Sequence, residues 1–495
     1  MISLPAKTTV VATRVLSAEG FKADSRYFAT TWLWGILFLP SFVSVCVSQN
    51  APVGDPAVFG IPLPKGEVKW ADRKVNAYIK TPTGHTIGRV HVKVGDHFIV
   101  IMPDGSLVGK KASEVKFTDK PVEWATPDEL ANQATTGMLE NFNVIKRKKH
   151  VFVYNTSPKM AEVTARVMES MTRGLIKYMK TLGLKPHEPE VPLVVIMFKT
   201  QEQFQAFKRM PPGVVAYYNI ITNRVYLYEE SPWTKIDREL AIAEKLSTIA
   251  HEGAHQVLAN IGIQQRLSLW PMWFSEGMAE FLAPTETGRG MQWKGPGKVN
   301  DFRMLELETY LRSKAIEGID GHVTRNTAAA ARLTSTGYAS AWSLTNYLAK
   351  RKRDQFKDYL SKVAGLRPFE GSFPTEAVQG KIAKNVKEFE EFFGPDWKEL
   401  ETDMIRFLTR QKFESPFAEF IHYAVLIEVP TLKKTVKAEK HSAVFHTQGL
   451  AERWANEFYK KNDGAAKPII RIMQCKNRAE AIRQTNLFYN SRQSP

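Results

Sequence analysis

Apolar and polar positions change period several times along the chain, and each change predicts an element. Met1–Tyr27 is polar and carries Lys7, Arg14, Lys22 and Arg26; an apolar run, Phe28–Val47, follows it. Asn50–Pro64 contains the Pro and Gly of a linker. From 65 to 120 the apolar residues alternate in short runs, Lys74–Lys80, Thr86–Val94, His97–Met102 and Ser106–Lys111. The turn pairs Thr83-Gly84, Gly95-Asp96 and Asp104-Gly105 separate them. Period two with such turns predicts strands, in a small β domain of SH3-like size. Pro121–Arg147 reads as a helical connector. Beyond it come a strand at His150–Tyr154, an amphipathic helix at Pro158–Leu182, a buried strand at Val191–Phe198 and a short helix at Gln201–Arg209. Gly213–Asn219 and Arg224–Tyr228 flank a Thr222-Asn223 turn and read as a hairpin.

Helical spacing then takes over. Ile236, Leu240, Ala243, Leu246, Ile249, Ala250, Val257 and Leu258 fall on one helix, about Ile236–Ile261, with Gly262 where a terminating glycine belongs. Further helices are predicted at Val299–Lys314, Tyr338–Arg351, Arg353–Val363 and Val386–Arg410. Phe413–Pro430, Ser442–Phe445 and Pro468–Met473 read as strands, Leu450–Lys461 and Asn477–Phe488 as helices. That β-β-α-β-α order predicts a small α+β domain.

The first of these helices carries candidate chemistry. His251-Glu252-Gly253-Ala254-His255 is an HExxH, which puts two imidazoles at i and i+4 on one helix face. Both can reach one Zn²⁺, and Glu252 falls beside them, placed to take a proton from a metal-activated water.

With Ser275-Glu276-Gly277-Met278-Ala279-Glu280 downstream, the chain resembles the gluzincin metallopeptidases over roughly residues 148–410. It is closest to uncharacterised secreted bacterial members and partly similar to aminopeptidase N-like catalytic domains. The resemblance implies that Glu276 is the third zinc ligand, that Glu280 supports His251 from behind, and that Tyr338 hydrogen-bonds an oxyanion. It also implies a substrate strand at the sheet edge, here Gly213–Tyr218, with Gly213, Val214, Val215 and Ala216 as its substrate-binding residues. The chain departs from the aminopeptidases in three ways. Twenty residues separate His255 from Glu276, Tyr338 is followed by Ala-Ser-Ala, and Gly137-Met138-Leu139-Glu140-Asn141 lies far upstream of the HExxH. The resemblance therefore implies peptide hydrolysis without implying an aminopeptidase.

Composition adds compartment and partners. Basic leader followed by apolar run reads as an export signal or membrane anchor. Two cysteines, Cys46 and Cys475, supply no disulfide framework or cysteine-rich zinc site. A net charge of +17 suits anionic polymers of a cell envelope. The basic residues are dispersed, without an aromatic platform, so specific nucleic-acid binding is not expected. The resulting expectation is an α+β chain in which 1–50 is the export segment, 51–64 a linker and 65–120 the SH3-like domain. In it 121–147 is a connector, 148–410 a zincin-like metallopeptidase domain with one Zn²⁺, and 411–495 a small α+β domain. Its substrate is a peptide or protein; the alternative is an exported binding protein with an inactive peptidase domain.

Overall fold

The computed structural model describes residues 14–15 and 66–490, apart from 72–73, 83, 236–237, 287–289, 315–320, 331–332, 334, 372–377, 419, 421, 431–438, 446–447 and 462–467. The expected export segment lies outside the described residues, except Arg14–Val15, which forms a two-residue strand, β1. Among the described residues no helix is long and apolar enough to cross a membrane. The fold is mixed α+β with several sheets. Its contacts divide it into two units, Pro40–Met304 with Asp320–Lys412, and Met1–Leu39 with Leu305–Ile319 and Phe413–Pro495.

The first unit begins with six strands. They are β2 (Val68–Lys69), β3 (Val75–Thr81), β4 (Gly84–Val94), β5 (His97–Ile101), β6 (Leu107–Lys111) and β7 (Val115–Thr118), in the order β6-β5-β4-β3-β7 with β2 on β4. Alternation gives this sheet two apolar faces. Ala77, Ile79 and Val100 fill one. Val92, Val94, Ile99 and Leu107 form the other, which is completed by Leu267 and Phe369 from far along the chain. The register of β4 on β5 shifts between Val90 and Val92, a bulge at His91 that lets valines on either side of it serve opposite faces.

The connector is helical only over α1 (Pro127–Ala134), where Thr126 and Glu129 make a capping box. The rest of the expected helix is replaced by a 3-10 turn at Gly137–Leu139 and a strand, β8 (Asn143–Arg147). β8 pairs antiparallel with β9 (His150–Tyr154), because the short Lys148-Lys149 link makes a hairpin of the two. Helix α2 (Pro158–Thr181), strand β10 (Leu193–Phe198) and helix α3 (Gln201–Phe207) follow. The main sheet runs β11-β12-β10-β9-β8, with β11 (Ala216–Asn219) at its edge and β12 (Arg224–Tyr228) inside it.

Two glycines set how closely the next helices approach. Helix α4 (Arg238–Asn260) crosses α2 at Gly253, where a Cβ would meet the Sδ of Met168 and lie 2.6 Å from Met171 Cε. Helix α5 (Met272–Leu282) meets α8 (Ser335–Arg351) at Gly277, where a Cβ would meet Thr345 Oγ1 and lie 2.6 Å from the Ala341 carbonyl oxygen. The strands β13 (Thr285–Glu286) and β14 (Gln292–Trp293), α6 (Asp301–Lys314) and α7 (His322–Ala329) lie between α5 and α8 in the chain. α5 is fixed further by Trp273 and Phe274, which pack on Tyr359 of α9 (Arg353–Ala364) at 5.5 and 5.0 Å between ring centroids. The single helix expected at Val386–Arg410 is two, α10 (Val378–Phe393) and α11 (Trp397–Thr409). Gly394 at φ +90° and Pro395 stop the first, and Asp396 caps the second by accepting from Glu399 N–H.

The second unit contains β15 (His422–Val429), β16 (Glu439–Phe445), α12 (Gln448–Lys461), β17 (Ile469–Cys475) and α13 (Arg478–Asn490). Its sheet order is β1-β17-β15-β16, all antiparallel. Trp454 and Phe458 of α12 pack on Val425, Ile427 and Phe445.

The two helix contacts differ in what can yield. At Gly277 the obstacle includes backbone; at Gly253 it is the flexible end of methionines. Gly277→Ala should destabilise the protein by roughly 1–3 kcal/mol. Gly253→Ala should stay within about 1 kcal/mol of wild type, because helix propensity offsets part of the crowding. Denaturant unfolding checks both, and equal midpoints for the two variants would refute the distinction.

Candidate metal centre

α4 and α5 bring together the residues singled out by the HExxH and the segment after it. His251, His255 and Glu276 each offer one donor atom, all within 4.8 Å of one another. His251 Nε2 is 3.2 Å and His255 Nε2 3.4 Å from the same oxygen, Glu276 Oε2. None of the three is more than 5 % exposed. The imidazoles share a face because four residues make about one turn; α5 carries Glu276 against that face of α4, and its Gly277 lets the same helix close on α8.

The surrounding groups hold these donors in place. Glu280 Oε1 lies 3.1 Å from His251 Nδ1, one turn along α5 from Glu276. Its Oε1 also accepts from Arg303 at 2.7 Å and its Oε2 from Asn300 Nδ2 at 2.8 Å. Asn300 uses its other end to cap α6, its Oδ1 accepting from the Arg303 N–H at 3.3 Å. Tyr338 is buried, with its ring centroid 6.1 Å from that of His251, and the Arg303 guanidinium carbon sits 5.4 Å from the same ring. Glu252 is 1 % exposed and its Oε2 accepts from the Tyr218 N–H of β11 at 2.8 Å. A recess of about 20 Å³, room for roughly one water, is lined by Val215, Thr248, His251, Glu252, Glu280 and Arg303.

Of the four residues expected as a substrate strand, only Ala216 is in β11. Gly213 turns at φ +87°, and Val214 and Val215 are buried just before the strand begins. Gly137–Leu139 is a 3-10 turn followed by an exposed Glu140, so the upstream look-alike contributes nothing to this centre. Arg303 and Asn300 were not legible as site residues, and Tyr218, within the expected substrate strand, serves Glu252 through its N–H. Asn300 has the local pattern of a helix cap only, while Arg303 and the Tyr218 N–H act through contacts 23 and 34 residues away.

Charge is the decisive property. Glu252, Glu276 and Glu280 face one guanidinium, Arg303, in a space nearly closed to water. The carboxyl groups outnumber this guanidinium, and His251 answers part of the difference by holding its proton. Burial opposes a charged His251, yet Glu280, Glu276 and Glu252 outweigh it and raise its pKa to about 10. Burial likewise works to raise Glu276, but the two histidines hold it well below its usual range. Glu280 is lowered to about 2 against its own burial by Arg303 and His251. The His255 Nε2 atom is buried with no hydrogen-bond partner. Two imidazole nitrogens and a carboxylate oxygen, converging in a buried acidic site, fit a divalent cation.

A family described as "Protein of unknown function (DUF1570)" matches residues 245–370. The DUF1570 span takes in His251, Glu252, His255, Glu276, Glu280, Asn300, Arg303 and Tyr338, so the whole cluster except the Tyr218 contact falls inside it. No curated protein matches the chain.

The protonation pattern fixes the pH dependence of protein stripped of divalent ions. His251, raised from 6.5 to about 10, contributes stability that is complete below about pH 6.5 and lost as pH rises through 10. Glu276 and Glu280, both lowered from 4.5, contribute stability present above about pH 4.5 and lost as pH falls. Stability should therefore peak between these limits, and His251→Asn should flatten the alkaline fall. Denaturant midpoints from pH 4 to 10 check this; an alkaline limb unchanged in the variant would refute it.

Proposed function

We propose that the protein is an exported zinc metallopeptidase, hydrolysing peptide bonds in peptides or proteins. The observation that carries the reading is the convergence of His251, His255 and Glu276 within 4.8 Å in a buried site. On this reading α4, α5 and the main sheet form a zincin-like, gluzincin-type domain, and the amino-terminal sheet is the SH3-like module. One zinc ion per chain is held by His251, His255 and Glu276, with Glu280, Asn300 and Arg303 fixing the orientation of His251.

Zinc supplies Lewis-acid polarisation and an acidified water in such a centre. Glu252, held by the Tyr218 N–H, would serve as the base that takes the water's proton and as the acid that returns it to the leaving amine. Tyr338, beside His251, donates its phenol to the oxyanion, and Arg303 over its ring favours that polarisation. The strand edge with which an extended substrate would pair starts at Ala216, which is buried, and its Tyr218 N–H is held by Glu252. Alternation turns the Ala216 N–H to the same side as that of Tyr218, away from β12. Export is proposed from the basic and apolar order of residues 1–50, and contact with anionic cell-envelope polymers from the +17 charge.

Metal content of the purified chain is the first test. About one zinc per chain is expected, lost in His251→Ala and Glu276→Ala. Glu252→Gln should keep the metal and lose roughly 10²–10⁴-fold in turnover of a peptide library. No zinc in wild type, even after its addition, would sink the reading and favour a binding protein with an inactive domain.

A further inference from the structure

The amino-terminal sheet is joined to the metal centre through one buried arginine. Arg266 lies in the link between α4 and α5, and only 5 % of it is exposed. Its Nη1 donates to the Gly105 carbonyl of the β5–β6 turn at 2.6 Å, and to the Ile220 carbonyl of the β11–β12 turn at 3.4 Å. Its own carbonyl accepts from His91 Nε2 at 2.7 Å, from the bulge in β4. Among the described residues Arg266 makes no ion pair, so its donors serve backbone carbonyls. Three segments thus meet on one side chain: the amino-terminal sheet, the hairpin that carries Tyr218, and the link from His255 to Glu276.

Neighbouring contacts make the junction tight. Leu107 N–H donates to the Ile221 carbonyl at 2.7 Å, and a Cβ on Gly105 would come within 3.1 Å of Asn223 Nδ2. Asn223 accepts from the Tyr218 hydroxyl at 2.8 Å and exchanges amide bonds with Asn260 of α4 at 2.9 and 2.7 Å. The next residue after Arg266, Leu267, is fully buried at φ +69°, a strained conformation that the apolar face of the sheet holds.

From this geometry we infer that Arg266 is a positioning residue of the metal centre, and that the amino-terminal sheet is part of the scaffold that aligns Glu252 and Glu276. Withdrawing the guanidinium leaves the carbonyls of Gly105 and Ile220 without this donor. The hairpin can then drift from α4, loosening the Tyr218 N–H on Glu252, and the link can shift α5. The consequence for metal affinity rests on the zinc reading above; the alignment of Tyr218 on Glu252 does not.

The experiment uses the full chain as wild type, Arg266→Met and Arg266→Lys, well below their unfolding temperatures. Amide hydrogen exchange at Tyr218 and Zn²⁺ affinity by competition with a chromophoric chelator are read together. Arg266→Met should speed Tyr218 exchange about tenfold, leave the amides of Val194–Phe198 at wild-type rates, and weaken Zn²⁺ binding roughly tenfold. Arg266→Lys, which reaches one carbonyl, should recover part of both. A lower unfolding temperature with Tyr218 exchange and Zn²⁺ affinity unchanged would overturn the inference and leave Arg266 a packing residue. If Arg266→Met does not fold, Arg266→Lys and His91→Leu carry the same comparison, and wild-type Tyr218 exchange in both would overturn it. Wild type that binds no Zn²⁺ would sink the zinc reading, with Tyr218 exchange still deciding the role of Arg266.

Discussion

Like charges crowded into a dry space repel, and the centre of this protein holds three carboxylates within reach of two imidazoles. Taking an ion out of water costs several kcal/mol even after relaxation. Glu252, Glu276 and Glu280 are each at most 2 % exposed, so the fold around them must compensate. It does so with directed partners: the Tyr218 N–H on Glu252, the imidazoles on Glu276, and Arg303 with Asn300 on Glu280. Gly253 and Gly277 let the helices come close enough for those partners to be in range, and the aromatic cluster behind Trp273 and Phe274 stops them drifting apart.

Local pattern carried most of the elements. The period of 3.6 located α2, α4, α5's neighbours and α8, and the alternation between turn pairs located β3 to β6. HExxH spacing placed His251, Glu252 and His255, since a helix is all that the pair requires. What failed was decided by strand pairing and turn geometry, which an apolar period does not report. Asn143–Arg147 has two basic residues and one buried side chain, so its alternation is weak; only its partner β9 makes it a strand. The single helix expected over Val386–Arg410 is broken by Gly394-Pro395, which a purely apolar period passes over.

Site residues divide the same way. Glu276, Glu280 and Tyr338 came from likeness to a known pattern, and the fold gathers all three around His251. Arg303 and Asn300 match no pattern, because their part is to answer a carboxylate two elements away. Of the strand expected over Gly213–Asn219, Val214 and Val215 are apolar and β-branched, yet Gly213 at φ +87° delays the ladder to Ala216. Propensity named the right residues for burial and the wrong ones for the ladder.

The amino-terminal sheet is made early in the chain and completed late. One of its apolar faces is closed by Leu267 and Phe369, and Trp70 donates to the Pro368 carbonyl across a separation of 298 residues. During vectorial synthesis, therefore, some three quarters of the polypeptide must emerge before that face is covered. Until then the nascent sheet presents Val92, Val94, Ile99 and Leu107 to whatever holds unfinished chains, and folding of the first module waits on the segment around Phe369.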